Sequence, residues 1–340
     1  MNKMILSLDG GGIRGAASAQ FLSRVEDRLK REYGKSIRDY VDFYAGTSTG
    51  SIIALALATT KLTVNEICNL YNHENARAIF TDNRGFLEID GINAPKYESK
   101  NKTRVLKNAM REARLRDVAS GKHVLVVTYA IEKRQPMVIK STDTAYRELL
   151  SYRIADASSA APTYFPTRRL SIGNERKEVW LVDGGVVANN PTMCAIAEAK
   201  REWDTSIDEM RILSVGTGYR SRKINGPESR NWGAIGWFVR GQILDLLTDE
   251  RIVAYQAITL ARKGTYIRVD SDMEKKSWMQ EPPDDAMDDI SRSNILKLKR
   301  MGDYWFEQYG DSTVALLTSR YSGPSLDSIE RSTGMPKRHG

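Results

Sequence analysis

The chain has 340 residues, with 51 Lys plus Arg against 43 Asp plus Glu for a formal charge of +8, and 41% of its residues are hydrophobic. That balance describes a globular protein with one large core or two modest ones, and excludes a disordered chain, a collagen-like repeat and a disulfide scaffold. Cys68 and Cys194 lie far apart with no CxxC spacing, so a thiolate zinc site is excluded and a reducing, cytoplasmic setting is expected. The opening Met1 to Leu6 runs straight into Asp9 and three glycines, too short a stretch for a secretory apolar region, and no run approaches the roughly 18 apolar residues of a membrane span. The positive excess suits an anionic partner, but also an ordinary solubilising surface, since no basic run concentrates it.

In chain order, the runs Met4 to Leu8, Val41 to Ala45, Val124 to Ala130, Val179 to Val182 and Arg211 to Val215 are apolar on successive residues, as in strands buried on both faces. Helical periodicity fills the intervals at about Arg14 to Tyr33, Ser51 to Thr59, Val64 to Asn72, Thr103 to Arg116 and Pro191 to Trp203. Thr63 with Glu66 fits a capping box, and Asn190 with Pro191 fits an N-cap and first turn. The alternation predicts an α/β fold with a mostly parallel sheet between helices and functional residues outside the carboxyl ends of strands.

Beyond Tyr219 the pattern turns mostly helical, at about Ala234 to Leu247, Glu250 to Ala261, Ser291 to Tyr309 and Ser312 to Tyr321, with one strand near Thr265 to Val269. The acidic patch from Glu281 to Asp289 is expected to be a loop leading into a helix. Ser322 to Gly340 lacks apolar periodicity, as in a mobile tail. The predicted organisation is therefore a core over 1–218, a helical annex of the same domain over 219–321, and a flexible tail over 322–340. The aromatic-rich stretch from Trp232 to Leu247 fits a core helix on the sheet, or a lid or membrane-contacting helix.

Three short motifs carry chemistry. Gly46-Thr47-Ser48-Thr49-Gly50 has the form GxSxG between a strand and an apolar helix. Small neighbours there let the backbone bend sharply, the serine stands clear, and the helix N-terminus favours developing negative charge. Asp9-Gly10-Gly11-Gly12-Ile13-Arg14-Gly15 is a second strand-to-helix turn, whose consecutive glycines can aim N–H groups into one cavity as an anion site. Gly10, Gly12 and Gly15 also satisfy GxGxxG, so a dinucleotide-binding (Rossmann-type) module is the alternative; the acidic ribose ligand it needs at the end of the second strand is missing. His73, His123 and His339 are poorly placed for a Ser-His-Asp triad. A carboxylate can replace histidine when burial lifts its pKa, and Asp183, ahead of Gly184 and Gly185 at the end of an apolar strand, is the candidate.

With these three motifs in this order, and with the small-residue segment Ala157 to Pro166 and the turn Ser214-Val215-Gly216-Thr217-Gly218, the chain resembles patatin-like phospholipases over about Lys3 to Gly218. The resemblance implies a three-layer α/β/α fold and a Ser-Asp dyad. Ser48 would be the nucleophile, Asp183 the general base, and the amides of Gly11 and Gly12 the oxyanion hole, while Arg14 would orient the glycine loop or meet a phosphate. Acyl transfer to water would pass through an acyl-serine, with no metal and no organic cofactor. The substrate would be membrane phospholipid, reached from the cytoplasm by transient contact with the inner face of the membrane.

The helical annex also makes the chain similar to bacterial patatin-like effectors of antiphage signalling. That similarity implies a cyclic nucleotide activator and a homo-oligomer on activation, with no nucleic-acid polymer as partner. Arg220, Arg222, Lys223 and Arg230 are either its contacts or members of an exposed loop.

Overall fold

The apolar runs form the middle of one mixed sheet. The computed structural model describes residues 3–83, 94–173, 175–220, 224–233, 236–237 and 251–339. Its strands are β1 (Lys3–Leu8), β2 (Phe43–Thr47), β3 (His123–Ala130), β4 (Gln135–Lys140), β5 (Arg168–Ile172), β6 (Lys177–Asp183), β7 (Met210–Val215), β8 (Tyr266–Val269), β9 (Ser325–Ile329) and β10 (Pro336–His339). The described helices are α1 (Gly15–Tyr33), α2 (Thr49–Thr59), α3 (Val64–Asn69), α4 (His73–Ile79), α5 (Ser99–Met110), α6 (Ser151–Ser158), α7 (Gly185–Ala188), α8 (Thr192–Trp203), α9 (Gly226–Ser229), α10 (Arg251–Leu260) and α11 (Arg292–Leu317).

The strand order is β10-β9-β8-β7-β1-β2-β3-β6-β5, with β4 also paired to β3. From β9 to β3 every pair is parallel. Antiparallel strands finish both sides, β10 on β9, β4 and β6 on β3, and β5 on β6. Alternate residues of the central strands serve opposite layers, as the period of two requires. Met4, Leu6 and Leu8 join a core with residues of α1, α2, α5 and α11, whereas Ile5 joins one with residues of α8 and α10. Helix α2 is buried almost all round, so it reads as uniformly apolar with little amphipathic pattern. This is the expected α/β/α arrangement.

Several local expectations need correction. The two helices anticipated over 291–321 are one continuous helix, α11, which lies across α1 and buries Trp305 completely. The helix expected to run to Arg116 stops at Met110, where Arg111 takes φ 50°. The residues from Ser322 onward are no loose tail: β9 pairs with β8 and carries β10, with Leu326 and Ile329 buried in the core. Those strands are short and half polar, which hid their period. The capping box at Thr63 and Glu66 is present, while α8 starts one residue later than expected, with the Asn190 side chain accepting from the Thr192 amide. Most of the helix expected over 234–247, with Arg222 and Lys223, lies outside the described residues.

Candidate active site

The strand registers bring two chain ends together. Strand β2 pairs along β3 as far as Thr47 opposite Val127, and β6 pairs with the next residues, ending with Asp183 opposite Thr128. Because β4 occupies the other side of β3 over Leu125 to Ala130, β2 and β6 must meet end to end along the same side. Asp183 thus reaches the carboxyl edge of the parallel strands on an antiparallel strand entering from beyond that edge. Gly184 sits so close that a Cβ would lie 2.2 Å from the Val127 carbonyl oxygen.

Ser48 stands at this junction. Its backbone has φ 52° and ψ −122°, a region that costs a non-glycine residue about 1–3 kcal/mol. The strain persists because the turn is packed from both ends: a Cβ on Gly50 would lie 2.1 Å from the Leu8 carbonyl oxygen, so α2 begins against β1 with no room for a side chain. The Ser48 amide donates to the Ser158 hydroxyl (2.9 Å), which itself donates to the Val127 carbonyl (2.8 Å).

The Ser48 hydroxyl donates to Asp183 Oδ2 at 2.6 Å, and the Gly185 amide donates to Asp183 Oδ1 at 2.7 Å. Both side chains are buried. Burial pushes the Asp183 carboxyl up to about 6, against the pull of the Ser48 hydroxyl, the Gly185 amide and the Lys102 charge. Lys102 is itself buried, donating to the carbonyls of Asp156 (3.1 Å) and Ser159 (2.8 Å), and burial lowers its pKa.

The glycine loop closes over the pair from the β1 side. The Gly10 amide donates to the Asn189 carbonyl, and the Ile13 amide to the Met287 carbonyl. Between them the amides of Gly11 and Gly12 have no acceptor among the described residues. Gly12, at φ 58°, lines the same pocket as Ser48 and Asp183. Arg14 donates from Nε to the Gly11 carbonyl at 3.3 Å, so it is tied to the loop itself. The loop rests on a buried ion cluster: Arg268 on β8 holds Asp9 through both nitrogens (2.9 and 2.6 Å) and also Asp270 (2.8 Å). From the other side the Thr217 hydroxyl donates to the Gly10 carbonyl at 2.8 Å.

Away from these polar groups the pocket is apolar, walled by Ile52, Leu70, Ile79, Phe80, Val105 and Phe165. The acidic segment expected as a plain loop covers one side of it. Met287 lies against Gly12, and Asp288 accepts from Tyr97 (2.6 Å) and pairs with Lys96.

Sequence reasoning missed Ser158, Lys102, Asn189, Met287 and the Arg268 cluster. Arg268 alone left a mark, as a charge in the middle of the apolar run Tyr266 to Val269. The three histidines bond elsewhere: His73 meets the Ile290 carbonyl, His123 lies among Phe43, Trp203 and Glu202, and His339 lies near Asp327. Of the basic residues considered for an activator, Arg220 is paired with Asp285 and Arg230 is exposed just beyond α9. Among the described residues no group of His, Cys, Asp and Glu is placed to hold a metal ion, and no helix is long and apolar enough to cross a membrane.

A serine on a strained strand-to-helix turn at the carboxyl edge of an α/β/α sheet defines the class of nucleophile-elbow proteins. Within it, the chain belongs to the patatin-like phospholipase family, whose model matches residues 6–196. Patatin-like protein 2 of Oryza sativa is 28% identical over 93% of this chain and 86% of its own length. Patatin-like protein 1 of Arabidopsis thaliana is 29% identical over 88% of this chain and 80% of its own. The crystal structure of VipD from Legionella pneumophila overlaps 89% of this chain and 67% of its own at 12% identity with a TM-score of 0.36, too low to bear on the fold. Family membership makes the protein a lipid acyl hydrolase.

Proposed function

We propose that the protein cleaves acyl esters of membrane phospholipids through Ser48 and Asp183. The observation that carries this reading is the 2.6 Å hydrogen bond between the two side chains at an apolar pocket. Ser48 Oγ attacks the ester carbonyl while its proton passes to Asp183 Oδ2, and the oxygen that gains charge lies against the amides of Gly11 and Gly12. The proton then goes to the departing alcohol, leaving an acyl-serine. Water repeats the sequence with Asp183 again taking the proton, and fatty acid departs. An acyl chain suits the walls of Ile52, Leu70, Phe80 and Phe165, because burying apolar surface there offsets the loss of lipid packing. Arg14 keeps the loop in shape through the Gly11 carbonyl.

The proposed place of action is the inner face of the cell membrane, reached from the cytoplasm. On resemblance alone the proposal extends to activation by a cyclic oligonucleotide, oligomerisation on activation and a role in antiphage defence. Full turnover by nucleotide-free protein, unchanged across a panel of cyclic dinucleotides, removes that extension.

The chemistry is tested by fatty-acid release from mixed phospholipid vesicles and by labelling with a fluorophosphonate probe. Ser48→Ala and Asp183→Asn are each expected to lose on the order of 10⁴-fold in turnover, and Ser48→Ala to lose labelling. Near-normal hydrolysis by either variant removes that residue from its role.

A further inference from the structure

Ten large apolar side chains are exposed among the described residues, and four of them lie at the end of β3 or on β6 and α7, which both pack on it: Ile131 (36% exposed), Trp180 (38%), Val186 (47%) and Val187 (38%). Ile131 follows β3 directly, and its amide donates to the Trp180 carbonyl on β6, extending the ladder that holds Asp183 by one step. Val186 and Val187 belong to α7, which begins two residues after Asp183 and packs on β3. These residues therefore lie on, beside or just after the strand whose last side chain bonds Ser48. Apolar groups gathered at the edge of a site, while the layers beneath are well filled, mark a contact surface better than a scattered set would.

The rim of this corner is basic. The turn after β3 exposes Lys133 and Arg134, and the end of the β5–β6 turn exposes Arg176 and Lys177. Among the described residues none of the four pairs with a carboxylate. Of the neighbouring acids Glu132, Glu175 and Glu178, the last is engaged by Arg169 at 2.8 Å. Both turns project beyond the carboxyl edge of the parallel strands, on the side from which β6 enters.

We propose that this corner is the surface by which the enzyme docks on an anionic phospholipid bilayer. Trp180, Ile131, Val186 and Val187 enter the interfacial layer, where an indole ring is at home, while the four cations meet lipid phosphates. Docking there sets the carboxyl edge, with Ser48 and Asp183, against the layer that holds the ester bonds. The proposal rests on the lipid-hydrolase reading above, but its test does not depend on turnover.

Ser48→Ala protein is sedimented with vesicles of phosphatidylcholine alone or containing phosphatidylglycerol. Parent protein is expected to bind the anionic vesicles. Ile131→Gln/Trp180→Gln/Val187→Gln is expected to lose about tenfold or more in binding, and Lys133→Gln/Arg134→Gln/Arg176→Gln to lose it on the anionic vesicles only. With Ser48 restored, both triple variants are expected to cleave a monomeric short-chain ester at the parental rate. Parental vesicle binding by the apolar triple variant overturns the proposal, as does a matching loss on the monomeric ester, which would assign these residues to the fold. Concentration-dependent dimerisation abolished by the same substitutions, with vesicle binding intact, would give the face to a second copy of the chain and likewise overturns it. Should Ser48 prove unreactive while patch-dependent binding persists, the docking surface stands and the hydrolytic mechanism falls.

Discussion

The two glycine-rich turns at the carboxyl edge do neighbouring jobs but are held by different parts of the chain. The Ser48 turn is framed by its flanking elements, with β2 leading in, α2 leading out and Gly46 and Gly50 allowing the close crossings that trap a strained serine, and its distant bonds run to Ser158, Asp183 and Ala188. The Gly10–Gly12 loop follows β1 just as directly, yet its shape depends on residues far along the chain. Asn189, Thr217, Arg268 and Met287 each bond it or a residue beside it. Substitutions in the last third of the chain, at Arg268 or Met287, should therefore damage the second turn and spare the first, a contrast open to direct attack.

The heaviest blow falls at Arg268. Arg268→Met strips a buried cation from two buried carboxylates, Asp9 and Asp270, and removing one partner of such a cluster costs about 3–5 kcal/mol. Chemical denaturation at neutral pH should show that loss, and turnover of the folded fraction should fall because the glycine loop loses its base. The sign of the pH dependence is fixed: unpaired buried carboxyls have folded pKa values above their unfolded ones. The penalty for ionising them is absent below the unfolded range and grows as pH rises through the folded values. The deficit of the variant should thus shrink on acidification. A deficit constant with pH would mean that Arg268 acts by packing alone.

That contrast also explains what was legible beforehand. The parallel strands, α2 and the serine turn are written in contiguous residues, so periodicity and spacing point to them. Asp183 was visible because it ends an apolar strand, although the antiparallel course of β6 was not, since both directions produce the same buried run. Ser158 lay inside the small-residue segment without a distinguishing mark, because its hydroxyl matters only once β3 and the serine turn flank it. β9 and β10 escaped notice for a related reason: Ser325–Ile329 and Pro336–His339 are too short and polar for a period to show, and only the neighbouring β8 gives them an edge to extend.

A gentler probe compares the charges around Ser48. With the Asp183 carboxyl raised to about 6, the proposed base is protonated and idle below that pH. Turnover at low concentration of a monomeric ester should rise with pH through a midpoint near 6 and then level off. Lys102 holds the carboxyl down by its charge, so Lys102→Met should move the midpoint to higher pH. Arg168 remains on Asp156 at 2.6 Å, leaving that acid paired. The midpoint does not depend on how much protein folds, so an unmoved midpoint would show that Lys102 only braces α5 against α6.

The smallest effect isolates the strain in the serine turn. Ser48→Ala and Ser48→Gly both delete the hydroxyl, and both should be inactive. They differ in what φ 52° and ψ −122° cost: alanine keeps a Cβ in that conformation, whereas glycine enters it freely. Glycine also has more freedom to lose on folding, which offsets part of the gain. Ser48→Gly should therefore be the more stable of the two by about 1 kcal/mol in equilibrium unfolding. The corresponding pair at Asp183, where no such conformation is recorded, should favour Asp183→Ala, because glycine there gains nothing from a positive φ and pays its full entropy. If glycine were the better residue at both positions, the advantage would come from steric relief around the hydrogen-bonded pair, and the turn itself would carry no strain.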